Sequence, residues 1–390
     1  MSQGAHTGFL VLDVVFEGQS LNYDQSAGGN VQQLKKIHMG GRVYTMVSRY
    51  AIRYSLLETG ERLFGWRLAD REALSPSGSG GKQVIQPNPS KLCQALEYVD
   101  LDLFGFLATG ERKDKGRRGR EKDEDEGEGK ERKGGASVTI ARPSPVKISH
   151  AISMEPYKFD SHFNVNLGLA RRAGQLGEVQ NPFQVEEHRS YYKYSVVVDL
   201  QSVGHHWVLL GKDVPDYLSG CSRTSDGQYY YEVVRDAAEE RRRVLELVAS
   251  VISLVRNIKG RAEDLSPRLM LAAYYPKLYR SFLDGISLRS ETSRETRIEE
   301  LEEGGKRIVR VVESQWDSPR IHVELPGAAP ANFLMYRRAS NVDAAGIPEG
   351  MVTSDPADAI ARIGKWMGCD DPCIGGVKGA MLQGSQSGSG

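Results

Sequence analysis

The chain's 390 residues allow two domains or one domain carrying insertions. Its 51 basic and 51 acidic residues cancel to a formal net charge of +0, which excludes a uniformly basic nucleic-acid binder and requires any cations that hold a polyanion to be clustered. No run approaches the roughly 18 apolar residues of a membrane helix, since even residues 244–255 are broken by Glu246 and Ser250.

Residues 9–16, FLVLDVVF, are β-branched and apolar over a strand's length, the pattern of a buried strand. Residues 21–57 then collect phosphate-binding devices in what reads as a strand-to-helix connection. Gly28, Gly29, Gly40 and Gly41 allow backbone N–H groups to approach a ligand, and Lys35, Lys36 and Arg42 lie among them. Beyond, Val47, Tyr50, Ala51, Tyr54 and Leu57 recur at helical spacing and are expected to form the buried stripe. Ser48, Arg49 and Arg53 fall off that stripe, the two arginines one turn apart. A solvated surface is the ordinary reading of any one of these cations. Lys35, Lys36, Arg42, Arg49 and Arg53 together, interleaved with glycine, fit a polyanion held at several phosphates, of a kind these residues do not specify.

Asn88-Pro89 is a helix-start signal, and residues 98–106 alternate enough to predict a strand with Asp100 and Asp102 on one face; no third ligand nearby supports a metal there. Residues 111–133 are all charged or glycine, have nothing to bury, and are expected to be disordered. Further on, Tyr157, Phe159 and Phe163 stand among Lys158, Asn164, Asn166, Arg171 and Arg172. This mixture suits stacked bases and phosphates, or equally a packed hairpin with core aromatics.

Tyr192, Tyr194, Val196 and Val198 face one way along a strand. Glu186, Glu187, His188, His205 and His206 lack the spacing of a zinc-hydrolase motif and read as core or surface groups. A helix is predicted over 236–259, started by Asp236 and Glu239 and stopped by Gly260, with Arg241, Arg242 and Arg243 clustered early as a lesser contact site. Strands at 269–275, 307–312 and 320–325 and a last helix opened by Asp355-Pro356 complete an α+β fold. Cys93, Cys221, Cys369 and Cys373 are too few and scattered for a disulfide framework, the last two lack a second pair for zinc, and the N-terminus has no secretory pattern, so a cytoplasmic protein is expected.

Several of these residues carry a family resemblance. Asn22 and Asp24 after the first strand, the Lys35-Lys36 pair, Val47-Ser48-Arg49 with Ala51 and Arg53, and the run Ser149-His150-Ala151-Ile152-Ser153 resemble the CRISPR-associated backbone subunit of Cascade complexes, the Cas-seven family of DevR type, as found in type I-B systems. The likeness covers residues 8–57 and 144–204 well, and elsewhere only the order of elements. It implies a right-hand-shaped, modified RRM-like (ferredoxin-like) palm over 1–59 and 190–375. Inserted fingers would span 60–145, a thumb hairpin 146–189 and a flexible tail 376–390. It also implies RNA binding by Asn22, Lys35, Lys36, Arg42, Ser48, Arg49, Arg53, His150, Lys158, Phe159, Phe163, Asn164, Asn166, Arg171 and Arg172. The implied partners are the CRISPR guide RNA, target DNA paired to it, copies of the chain itself and other Cascade subunits, with no membrane, metal or cofactor. The competing reading is a metal-dependent RNA nuclease using Asp100, Asp102 and histidines. Type III relatives cut RNA with a loop aspartate, which would point to Asp24 or Asp160.

Because residues 111–133 contain no apolar side chain to join a core, replacing them with a short Gly-Ser linker is expected to leave solubility and melting temperature unchanged. A thermal melt of the deletion variant checks this, and a marked drop would show that the segment packs.

Overall fold

The computed structural model describes residues 7–24, 31–77, 83–110, 138–164, 171–172, 183–209, 218, 220–227, 229–233, 236–303 and 306–386. The first strand, β1 (Phe9–Gln19), is apolar on both faces because both are covered. It pairs antiparallel with Arg189–Asp199 on one side and with Leu269–Tyr275 on the other. These three form the middle of a nine-stranded sheet. Phe333–Arg337 and Val352–Thr353 extend one edge. Ala151–Ser153, β5 (Arg42–Val47) and β4 (Lys36–Met39) extend the other.

One face of this sheet, with Leu10, Leu12, Val14, Phe16, Tyr192, Tyr194, Val196 and Val198, packs against helix α1 (Arg49–Phe64), the helix Ala237–Ile252 and the two C-terminal helices Pro356–Trp366 and Asp371–Gln386. The opposite face, with Val15, Leu269 and Leu271, packs on Phe282, Ile321 and Val323 at the base of a long ribbon formed by Ile286–Glu303 and Lys306–Val323. The fold is mixed α+β.

Several expectations change. Residues 21–41 are strands as well as turns: β2 (Tyr23–Asp24) and β3 (Val31–Leu34) join the hairpin Ser161–Asn164/Phe183–Glu186 in a second, four-stranded sheet. Gly40 and Gly41, at φ 55° and 74°, make the two-residue turn between β4 and β5, a conformation that glycine adopts freely. They therefore serve a hairpin. Gly28, Gly29 and the segment 111–133 lie outside the described residues.

The predicted strand at 98–106 is instead a short helix, α2 (Val99–Phe104). Asp100 accepts the Ala69 N–H at 2.9 Å. Asp102 is fully buried between Arg142 (2.6 Å) and Arg243 (2.8 Å) and also accepts the Gly204 N–H. The two carboxylates thus serve different partners. Arg243 is part of the core, Arg242 pairs with Glu239 and Glu246, and Arg241 donates to the Gly368 carbonyl, so the arginine cluster is structural.

The helix predicted to reach Lys259 ends at Ile252, because Val255–Ile258 pairs with Arg261–Asp264 as a hairpin around Lys259-Gly260. The strands expected at 307–312 and 320–325 are one strand, Lys306–Val323. The tail expected from residue 376 is helical to Gln386, with Val377 and Met381 buried against the core. Cys93 and Cys221, separated by 128 positions, form a disulfide with Cα atoms 5.1 Å apart, a proximity that chain spacing cannot reveal. No helix among the described residues is long and apolar enough to cross a membrane.

Removing one partner from a buried ionic cluster leaves the remaining charge uncompensated, at a cost of about 3–5 kcal/mol. Asp102→Asn is therefore expected to lower unfolding free energy by ~3 kcal/mol or more, since two guanidiniums lose their shared anion. Urea unfolding checks it; a loss below ~1 kcal/mol would mean that the arginines find other partners.

Candidate nucleic-acid interface

The start of α1 is built by residues from three distant stretches. Ser48 is the N-cap, its hydroxyl accepting the Ala51 N–H at 3.2 Å. Asn22 Oδ1 accepts the Ser48 N–H at 2.8 Å, and His150 Nδ1 accepts the Arg49 N–H at 3.0 Å. The first turn holds no acidic residue. Arg49 instead stands where a helix carries positive partial charge, an arrangement unfavourable for the isolated helix and favourable for a bound anion.

The buried face of the helix is Ile52, Ser55, Leu56, Thr59 and Gly60, not the stripe expected from spacing. Tyr50 and Tyr54 are 63% and 58% exposed, which puts aromatic rings beside the arginines. The Arg49 guanidinium lies 5.0 Å from the Tyr50 ring centre and donates to its hydroxyl at 3.0 Å, which holds the phenol below its ordinary pKa. Arg53 sits 4.8 Å over Phe104, and its burial lowers its pKa. With Ser144 and Lys147 these groups line an open cleft of about 270 Å³. Three cations and an accessible ring converge there, with His150 next to them. Lys147 and Phe104 were not singled out by sequence, since their part depends on α2 and the strand Val146–Ile148 arriving beside α1, and Tyr50 was expected to be buried.

The other predicted residues divide differently. Lys36 is bound to Glu186 at 2.6 Å and lies 4.6 Å over the Tyr157 ring, so its charge is internally matched. Lys35 is half-buried, and Arg42 is exposed at the β4–β5 turn. On the hairpin, Lys158 is exposed and Phe159 and Phe163 are 73% and 68% exposed. These two rings are therefore not core, whereas Tyr157 is partly buried and packs edge-on against His188. Asn164 is partly buried, Arg171 and Arg172 are exposed, and Asn166 lies outside the described residues.

A strand-rich α+β chain that places cations and exposed aromatic rings at one helix start and around one hairpin has the make-up of a single-strand nucleic-acid binder. The family model described as CRISPR-associated negative auto-regulator DevR/Csa2 matches residues 10–292, and the chain belongs to this family. Among solved structures, it is similar to a "CRISPR RNA-guided surveillance complex" at 15% identity, covering 68% of each chain with a TM-score of 0.35. It is also similar to a "CRISPR RNA-guided surveillance complex, pre-nicking" at 11% identity, covering 68% of this chain and 77% of that one with a TM-score of 0.38. No curated protein matches.

Burial first, then Arg49 and Lys35, lowers the pKa of His150, whose Nδ1 must stay unprotonated to accept the Arg49 N–H. A depressed histidine pKa contributes stability above about 6.5 that is lost as pH falls from there through the folded value. His150→Asn, which keeps an acceptor near the Nδ1 position without titrating there, should therefore lose less stability than the parent between pH 7.5 and 5. Urea midpoints of both proteins measure this, with the similarly lowered His188 and His206 cancelling in the difference.

Proposed function

We propose that this protein is a non-enzymatic, guide-RNA-binding backbone subunit of a type I-B Cascade surveillance complex. It polymerises along the guide and presents it to target DNA, in antiviral defence or RNA-guided targeting. The observation that carries the reading is the cleft at the start of α1, where Arg49, Arg53 and Lys147 converge beside the exposed ring of Tyr50 and the helix has no acid in its first turn. Such a surface grips backbone and stacks bases without a base-edge code, so specificity comes from guide pairing.

Membership of the DevR/Csa2 family supports the reading. The hairpin with its exposed Phe159 and Phe163 acts as the thumb, inserted into an RRM-like palm; copies of the chain and other Cascade subunits are its neighbours, and no cofactor is needed. One of the carboxylates of the nuclease alternative, Asp102, is committed to two buried arginines.

On single-stranded nucleic acid each phosphate contact contributes about −0.7 to the slope of log K against log salt, so Arg49→Ala/Lys147→Ala should flatten that slope by roughly 1.4. The loss should be equal for two unrelated RNAs, with circular dichroism reporting an unchanged fold. Weaker binding at an unchanged slope, or a loss confined to one RNA sequence, would sink the assignment.

A further inference from the structure

A small apolar cluster stands apart from the main core. Leu92, Ala108, Ile140, Leu218 and Cys221 are buried in it, and the partly buried Cys93 packs on its edge. The 3-10 helix Pro89–Glu97, the paired strands Phe106–Gly110 and Val138–Arg142, and the stretch around Cys221 meet there. So few buried side chains make a weak core, the setting in which a covalent cross-link counts most. The Cys93–Cys221 bond joins positions 128 apart, and closing so long a stretch of chain removes much of the freedom of its opened state. The backbone bonds described around Cys221 are local, from its own N–H to the Leu218 carbonyl at 3.1 Å and from the Gly227 N–H to the Thr224 carbonyl at 2.8 Å. The disulfide is thus the direct covalent tie between this stretch and Pro89–Glu97.

Pro89–Glu97 in turn supports the cleft at α1. The Leu96 carbonyl accepts from Arg243 Nη1 at 2.6 Å, and the same nitrogen donates to Asp102 at 2.8 Å. Asp102 lies two residues before Phe104, over whose ring Arg53 rests. Arg142, the second guanidinium on Asp102, ends the strand that carries Ile140 into the cluster. Two sets of contacts therefore run from the disulfide to a ring that lines the cleft. In a reducing compartment, the one expected from the sequence, disulfides are transient and redox-sensing rather than permanent struts.

We propose that Cys93 is a site of reversible thiol–disulfide exchange, and that the state of its bond with Cys221 sets the affinity of the α1 cleft for RNA. A thiolate of a dithiol reductant attacks the sulfur of Cys93, the less buried partner, since Cys221 is only 8% exposed. A sulfur–sulfur bond forms to Cys93, the Cys93–Cys221 bond breaks, and Cys221 leaves as a thiolate that takes up a proton. The second thiol of the reductant then displaces Cys93. The protein gains two electrons and two protons, and the dithiol becomes a disulfide. A low-molecular-weight disulfide drives the reverse. With the bond open, the stretch around Cys221 separates from Leu92, and Pro89–Glu97 loses its hold on Arg243.

The inference rests on the RNA-binding reading above, and a paired measurement separates the two. The full chain is treated with oxidised glutathione, and half of it is then reduced with dithiothreitol. Alkylation followed by peptide mass spectrometry reports the state of Cys93 and Cys221. In the reduced half, peptides covering 89–97 and 218–227 should exchange amide hydrogen about tenfold faster. RNA affinity, read by fluorescence polarisation, should be about fivefold weaker. Cys93→Ala/Cys221→Ala should match the reduced parent in both measurements and respond to neither reagent, which accounts for Cys369 and Cys373, present in both proteins. The two halves of the parent keep the test decisive where the variant fails to fold.

Failure of glutathione to join Cys93 to Cys221, equal exchange in the two halves, equal RNA affinity alongside altered exchange, or a variant that still responds to the reagents would overturn the proposal and leave the α1 surface standing. RNA binding by neither half would overturn the RNA-binding reading and the coupling with it.

Discussion

The antiparallel pairing of Phe9–Gln19 with Arg189–Asp199, in register from Phe9↔Asp199 to Gln19↔Arg189, is the constraint on which the rest of the molecule depends. It joins positions roughly 180 residues apart in the chain and places Phe16 stacked on Tyr192, ring centres 5.5 Å apart. Each fully buried large side chain contributes about 1.5–3 kcal/mol, and a one-residue slip would carry the whole apolar set to the wrong face. Everything between the two strands is then held at both ends. The stretch carrying His150 must return beside β5, and so His150 meets the first N–H of α1.

Asp102 plays the corresponding part for the elements outside the sheet. A single carboxylate ties α2, the strand holding Arg142 and the helix holding Arg243 into one cluster that excludes water. Replacing a satisfied ionic cluster of this kind with apolar groups can be neutral in stability, whereas breaking it is not. Its consequence for the interface is positional. Phe104 follows Asp102 by two residues and presents the ring over which Arg53 lies.

The arginines of the cleft at α1 rest on aromatic and hydroxyl partners, with Asp100 acting on Arg53 only at a distance, and this separates them from several of the molecule's other basic groups. Lys36, Arg142, Arg242 and Arg243 each have a carboxylate within 3.1 Å, while Arg49 has a tyrosine hydroxyl and Arg53 an aromatic face. A chain of zero formal net charge can thus present a local anion site, because its acids are spent elsewhere. Tyr50 and Tyr54 add exposed ring surface next to it, where a base can stack without being read.

Local pattern alone determined the elements whose signals lie within a few residues. The apolar run of β1, the start of the long helix at Asp236 and the Asp355-Pro356 start need no distant partner to be recognised, and each has its physical cause in adjacent side chains. Asn22, Arg49, Arg53 and His150 were named through a family resemblance, and the structure brings them together at the start of α1. Tertiary structure decided the rest. Residues 99–104 became helical, with Asp102 drawn between two arginines from 40 and 141 positions away. Tyr50 and Tyr54 turned outward because the sheet accepted Ile52, Ser55 and Leu56 instead, and spacing cannot tell two apolar helix faces apart when only one meets a partner. Lys36 was withdrawn from the surface by Glu186, and Lys147 entered the cleft at α1 through a strand pairing made across a long stretch of chain, where neighbouring residues carry no record of what will arrive.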